Sequence, residues 1–193
     1  MVRVMRVFLA GLLAAALIFL AGCGGMGATK FVHPDFDFAF VEKIAVVYFE
    51  NLSNDQAAGA KATRYFTTAL LATEAFEVVE PGEVSLALEK FGLVSTAQLT
   101  QEQVMTLGRE LGAQGVFLGS LSEATSIRSG ATTVSVVTVV VRLLETETGV
   151  TVWSATNTED SSSFWSSLFG TGQKSPSEVM RRCIDGCLDT LMD

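Results

Sequence analysis

The chain has 193 residues and a net charge of −8, with 21 acidic against 13 basic side chains and one histidine. An acidic balance argues against a nucleic-acid partner, which needs a basic face. A single histidine leaves little for histidine-based metal or acid–base chemistry. The abundance of aliphatic residues and the scarcity of proline are those of a folded domain.

Arg3 and Arg6 form a positive start, and Val7 to Ala21 is an uncharged apolar run. That run is shorter than the ~20 residues a membrane span requires, and Gly24-Gly25 follows it closely. Leu20-Ala21-Gly22-Cys23 puts small residues before a cysteine, as a signal peptidase groove requires. These four residues resemble the lipobox of bacterial lipoproteins. The resemblance implies cleavage between Gly22 and Cys23, loss of residues 1–22 as a signal peptide, and diacylglycerol and N-acyl chains on Cys23. Acyl burial contributes ~0.8 kcal/mol per CH₂, and more than one chain gives stable anchoring. Gly24 stands where an Asp would favour inner-membrane retention, so the expected location is the outer membrane, lipid-anchored, on its periplasmic face. The mature chain would hold 171 residues with a net charge of −10. That is enough for one well-cored domain. Apart from the covalent lipid on Cys23, no cofactor is expected.

Residues 23–40 read as the lipidated tether and a lead-in segment. Its aromatics, from Phe31 to Phe40, are expected against the domain, because exposing them all would be a liability. The folded domain is expected over 41–193. Lys43 to Phe49 is a near-continuous apolar run that suits a strand buried on both faces. Asp55 is positioned to cap a helix over Gln56 to Thr73, with Ala62, Phe66, Ala69 and Leu70 on one face. Phe76 to Val79 reads as a short strand. Pro81 opens a helix that Gly92 ends. Thr100 and Gln103 form a capping box for another helix, closed by Gly112.

Gly115 to Leu121 reads as a buried strand. The Thr- and Val-rich stretch from Ser126 to Glu145 and the alternating stretch Val150 to Thr158 flank a turn at Thr146–Gly149. Thr132 to Leu144 reads as a central strand plus its hairpin partner. Ser161 to Gln173 is Ser/Gly-rich but contains Phe164, Trp165, Leu168 and Phe169. Those four either contact a partner, a second subunit or a membrane, or fold back onto the domain. Ser175, Pro176 and Glu178 open the last helix. The order is β-α-β-α-α-β-β-β-α. The predicted fold is a single-domain α/β sandwich, a mixed sheet flanked by helices with a late antiparallel hairpin and a C-terminal helix.

No catalytic and no metal-binding set emerges. His33 lies in the lead-in segment, away from any Ser-His-Asp pattern. Asp35 and Asp37 fall short of a divalent-ion ligand count. Glu145 and Glu147 belong to a turn, and no phosphate-binding glycine loop is present. Cys183 and Cys187 fall on one apolar helical stripe with Val179, Met180, Ile184 and Leu188. They read as buried thiols, since i,i+4 spacing on a helix strains a disulfide.

Three stretches carry a wider resemblance. They are Lys43 to Ser53, Leu111 to Leu121, and Val139 to Leu144 with Glu147-Thr148-Gly149 and Val152-Trp153-Ser154. Together they resemble the superfamily of the curli-secretion lipoprotein CsgG, the penicillin-binding-protein activator LpoB and the TolB N-terminal domain. The resemblance implies an extracytoplasmic, non-enzymatic domain that works through protein contacts. It implies a periplasmic scaffold, accessory or activator of an envelope assembly or secretion machine, with a membrane anchor and a protein partner in the envelope or a self-oligomer. Alternatives are a ring-forming, curli-type secretion-channel subunit and a cell-envelope hydrolase.

Overall fold

The computed structural model describes residues 27–92, 99–129, 132–162 and 174–193, with the backbone alone at 127–129 and 132–133. The strands are β1 (Thr29–Val32), β2 (Lys43–Val46), β3 (Glu50–Asn51), β4 (Glu77–Val78), β5 (Gly115–Ser129), β6 (Thr132–Glu145) and β7 (Thr151–Asp160). The helices are α1 (Ala58–Ala72), α2 (Pro81–Lys90), α3 (Gln101–Leu111) and α4 (Pro176–Met192). One mixed sheet runs in the order β1-β7-β6-β5-β2-β4, with β3 also pairing to β5. β2 is parallel to both β4 and β5, whereas β5, β6, β7 and β1 form an antiparallel block.

The two halves of the sheet differ because their sequences differ. Ile44, Ala45 and Val46 are all buried, since β2 is covered on both faces. Ile44 and Val46 face α1 and α4, and Ala45 faces α2 and α3. β6 instead alternates: Val137, Val139, Val141 and Leu143 are buried under α4, and the residues between them are half-buried as far as Arg142. β7 continues this pattern, with Ala155 and Asn157 buried and Thr156 and Thr158 exposed. One face of the antiparallel block is therefore core and the other faces solvent.

An aromatic line crosses the core face. Phe49 meets Phe66 at 5.2 Å between ring centroids, Phe66 meets Phe117 at 5.1 Å, and Phe117 meets Trp153 edge-on at 6.1 Å. Phe66 is fully buried, so its truncation to Ala would cost about 3–5 kcal/mol. The Trp153 indole N–H is buried and finds no hydrogen-bond partner among the described residues.

Helix ends follow the sequence closely, with one correction. Thr100 and Gln103 form the reciprocal capping box. Gly112 closes α3 in the left-handed conformation, φ 61°, where a side chain would be strained. Ser175 accepts from the Glu178 N–H at the start of α4. Asp55, however, does not cap α1. The N-cap position is Ala57, without a side-chain bond, and Asp55 accepts from the Ala57 N–H in a turn just before the helix.

Three further expectations change. β6 is one 14-residue strand and not a strand plus its hairpin partner; its partner is β5, which continues past Leu121 to Ser129. A bulge at Ser122 keeps Ala124 on the core side, because it absorbs the extra residue in the pairing. The lead-in segment contributes edge strand β1, paired to β7. Its aromatics divide: Phe36 and Phe38 pack on the core, whereas Phe31 and Phe40 are exposed.

Candidate functional surfaces

The residues singled out as lipid and contact sites, Gly22, Cys23, Phe164, Trp165, Leu168 and Phe169, lie outside the described residues. The other candidates fall at the two ends of the sheet or inside the core.

His33 is a structural residue of a turn. Its main-chain N–H donates to the Val152 carbonyl (2.8 Å), and its Nδ1 accepts from the Asp35 N–H (3.3 Å). Cys183 and Cys187 are buried and free, beneath β6 and β7. The Cys183 Sγ lies 3.1 Å from the Asn157 carbonyl and 3.5 Å from that of Val137. Burial pushes both thiols up to about 12, so they stay protonated and unreactive.

The two acid pairs come together. Asp35 and Asp37 share one groove of about 480 Å³ with Glu145 and Glu147, and Phe36 and Phe40 form its apolar wall. Val41 separates it from a second groove bordered by Glu42, Glu74 and Glu77. This end of the sheet, where β2 and β5 begin and β6 ends, thus gathers seven carboxylates. Lys43 is a cation here, and it pairs with Glu77 at 3.0 Å. Phe40 stands out from this acidic surface at 76% exposure. No three of the His, Cys, Asp and Glu side chains converge to hold a metal ion among the described residues. The sequence pattern gives each acid pair separately. Their meeting depends on the strand order, which brings the start of β2 and the end of β6 to one edge.

At the opposite end, Ser126 and Ser135 join through their hydroxyls (3.2 Å), and the Ser135 N–H donates to Ser161 Oγ (2.9 Å). A shallow pocket of about 170 Å³ lies beside them, between the β5–β6 hairpin, the start of α4 and the Asp55–Lys61 ion pair. Its lining has hydroxyls, one ion pair and apolar stems, and nothing that activates a nucleophile. No helix among the described residues is long and apolar enough to cross a membrane.

Comparison with solved structures returns the same fold in PelC and in lipoprotein GNA1162. PelC from Paraburkholderia phytofirmans, a dodecamer, is 21% identical over 85% of this chain and 95% of its own, with a TM-score of 0.58. Lipoprotein GNA1162 from Neisseria meningitidis is 18% identical over 78% of this chain and 98% of its own, with a TM-score of 0.59. The LpoB C-terminal domain from Escherichia coli is 23% identical over 61% of this chain and 81% of its own, with a TM-score of 0.48. No curated protein matches the sequence significantly. The family that matches is the peptidoglycan-synthase activator LpoB, over residues 39–158. The wider resemblance to CsgG and TolB gains no support from these comparisons. The matched stretch is more than half of the chain and runs from the lead-in segment almost to the end of β7, and the protein belongs to the LpoB family.

Proposed function

We propose that this protein is an outer-membrane lipoprotein, anchored through Cys23 after removal of residues 1–22, that acts on a peptidoglycan synthase or a related envelope-assembly enzyme by direct contact. The observation that carries this reading is the LpoB family match across the sheet. Among the described residues, the exposed Phe40 on a surface of seven carboxylates suits contact with a partner. Phe164, Trp165, Leu168 and Phe169 are proposed as a further contact segment.

The test is a peptidoglycan polymerisation assay with each bifunctional synthase of the source bacterium, with and without the purified protein. The expected result is a rise in rate together with crosslinking of the two proteins. No effect on any synthase, and no crosslink, would overturn the activator reading. The anchor is tested separately by labelled palmitate, which the native chain incorporates and Cys23→Ala does not.

A second reading rests on the likeness to PelC, which forms a dodecamer: the chain assembles with copies of itself. Light scattering of the detergent-extracted lipoprotein separates the two. A monomer or dimer supports the activator, and a large closed ring supports self-assembly.

A further inference from the structure

Strand β1 fixes where the N-terminal segment leaves the domain. Thr29 pairs with Thr156, and Thr156 pairs with Val140. β1 therefore begins partway along β6, and its direction sends the residues before Thr29 toward the hairpin end of the sheet. From Val140 to Thr132, the last pair of the β5–β6 hairpin, is eight residues, or about 27 Å of strand. Cys23 precedes Thr29 by six residues, or about 21 Å when fully extended. Even fully extended, those six residues are shorter than that stretch of hairpin.

Charge follows the same axis. Seven carboxylates line the two grooves at the end away from the hairpin tip. From Ala124 to Val141 the sequence has no Asp or Glu and one arginine, Arg128. Asp160, at the end of β7, pairs with Val136, four residues and about 14 Å short of the last hairpin pair. An anionic lipid surface repels the acidic end and accepts a Ser/Thr/Val hairpin carrying Arg128.

We propose that the paired end of the β5–β6 hairpin, Ser126 to Ser129 with Thr132 to Ser135, rests on the surface of the bilayer that holds the Cys23 lipid. The acidic end around Phe40 then points away from the membrane, toward the periplasm. This orientation rests on the reading of Cys23 as the lipidated residue. The sheet must lean over on the membrane, because an upright hairpin would carry its end past Cys23 and an isolated hairpin has open edges that cannot be satisfied in hydrocarbon. With an anchor this short, an upright domain with its hairpin toward the membrane cannot lift the hairpin end clear of the headgroups.

The experiment uses the full lipidated chain in vesicles of phosphatidylethanolamine and phosphatidylglycerol doped with headgroup-nitroxide lipid. A bimane label is attached at Ser129→Cys, at Ser126→Cys or, at the other end, at Glu147→Cys. The buried Cys183 and Cys187 do not compete for the reagent. Several-fold stronger quenching at 129 and 126 than at 147 is expected. Equal quenching, or stronger quenching at 147, overturns the orientation. Flotation of the same vesicles separates the two readings. Protein that fails to float, or floats equally as Cys23→Ala, overturns the anchor and this proposal with it. Protein that floats through Cys23 with 129 and 126 unquenched overturns the orientation alone.

Discussion

Asn157 on β7 fills the space that Gly186 leaves on α4. The Asn157 amide donates from Nδ2 to the Cys183 carbonyl at 3.1 Å, and a Cβ on Gly186 would lie 2.4 Å from that same nitrogen. Asn157 is 6% exposed, so its amide has no route to water if displaced. The contact sets how closely α4 approaches the sheet.

Gly186→Ala is therefore expected to destabilise the protein although alanine is the better helix former. Helix propensity gives back about 1 kcal/mol, whereas overpacking and a displaced buried amide each cost about 1–3 kcal/mol. The net loss expected is about 1–5 kcal/mol in urea denaturation. Combining Gly186→Ala with Asn157→Ala should cost less than the sum of the two single changes, because the clash disappears. Strict additivity would show that the two residues do not share the space.

The buried thiols make stability fall at high pH. Burial raises Cys183 and Cys187 from 9.0 to about 12. Their contribution is intact below the unfolded value and is lost as the pH climbs from 9 toward 12, because only the unfolded chain then ionises them. Each thiol contributes a slope of about 1.4 kcal/mol per pH unit in that window. Denaturant midpoints of the native chain and of Cys183→Ala, followed from pH 8 to 11, should converge as pH rises. Parallel curves would mean that the thiol is accessible in the fold.

Much of this fold is legible in the sequence, for local reasons. The capping box at Thr100, the closing glycine at 112, the Ser175 start of α4 and the Cys183–Cys187 stripe are short-range patterns, and each one appears in the structure. What local pattern misses is pairing. β1 is a four-residue edge strand whose side chains are all exposed, so it has no alternation to read. β5 runs on past Leu121 because β6 holds it there, not because its own residues are apolar. The acidic end is hidden for the same reason, since Asp35 and Glu145 meet only through the strand order.

Asp55 links acid pH to the start of α1. The Ala57 N–H, and then the Lys61 ammonium at 3.1 Å, hold its carboxyl below the usual 3.8. Its contribution is complete above the unfolded value and is lost as pH falls through the lower folded value. Asp55→Asn should lower the urea midpoint at neutral pH, and the gap from the native chain should close below about pH 4. A gap that persists at pH 2.5 would assign the effect to the turn geometry alone.

Phe38 and Phe40 are two residues apart and should behave oppositely. Phe38 meets Phe36 edge-on at 4.9 Å and packs on the core, whereas Phe40 projects into solvent. Phe38→Ala should cost about 2–4 kcal/mol, somewhat less than truncating a fully buried phenylalanine. Phe40→Ala should stay within about 0.5 kcal/mol, as surface changes do. Equal losses would mean that Phe40 is covered in solution.

The carboxylates around Phe40 repel one another with little cationic relief, so the acidic end should gain from any charge reversal. Glu147 is exposed and lines the groove with Asp35, Asp37 and Glu145. Glu147→Lys should raise stability by up to about 0.5 kcal/mol at low ionic strength. Raising the salt to 1 M shortens the screening length to about 3 Å and should remove most of that gain. The native chain should itself become more stable as salt rises, through the same screening of its own repulsion. If Glu147→Lys gains nothing at low salt, the four carboxylates are already far enough apart for water to separate them. An effect independent of salt would place its origin in packing against Phe40 and not in charge.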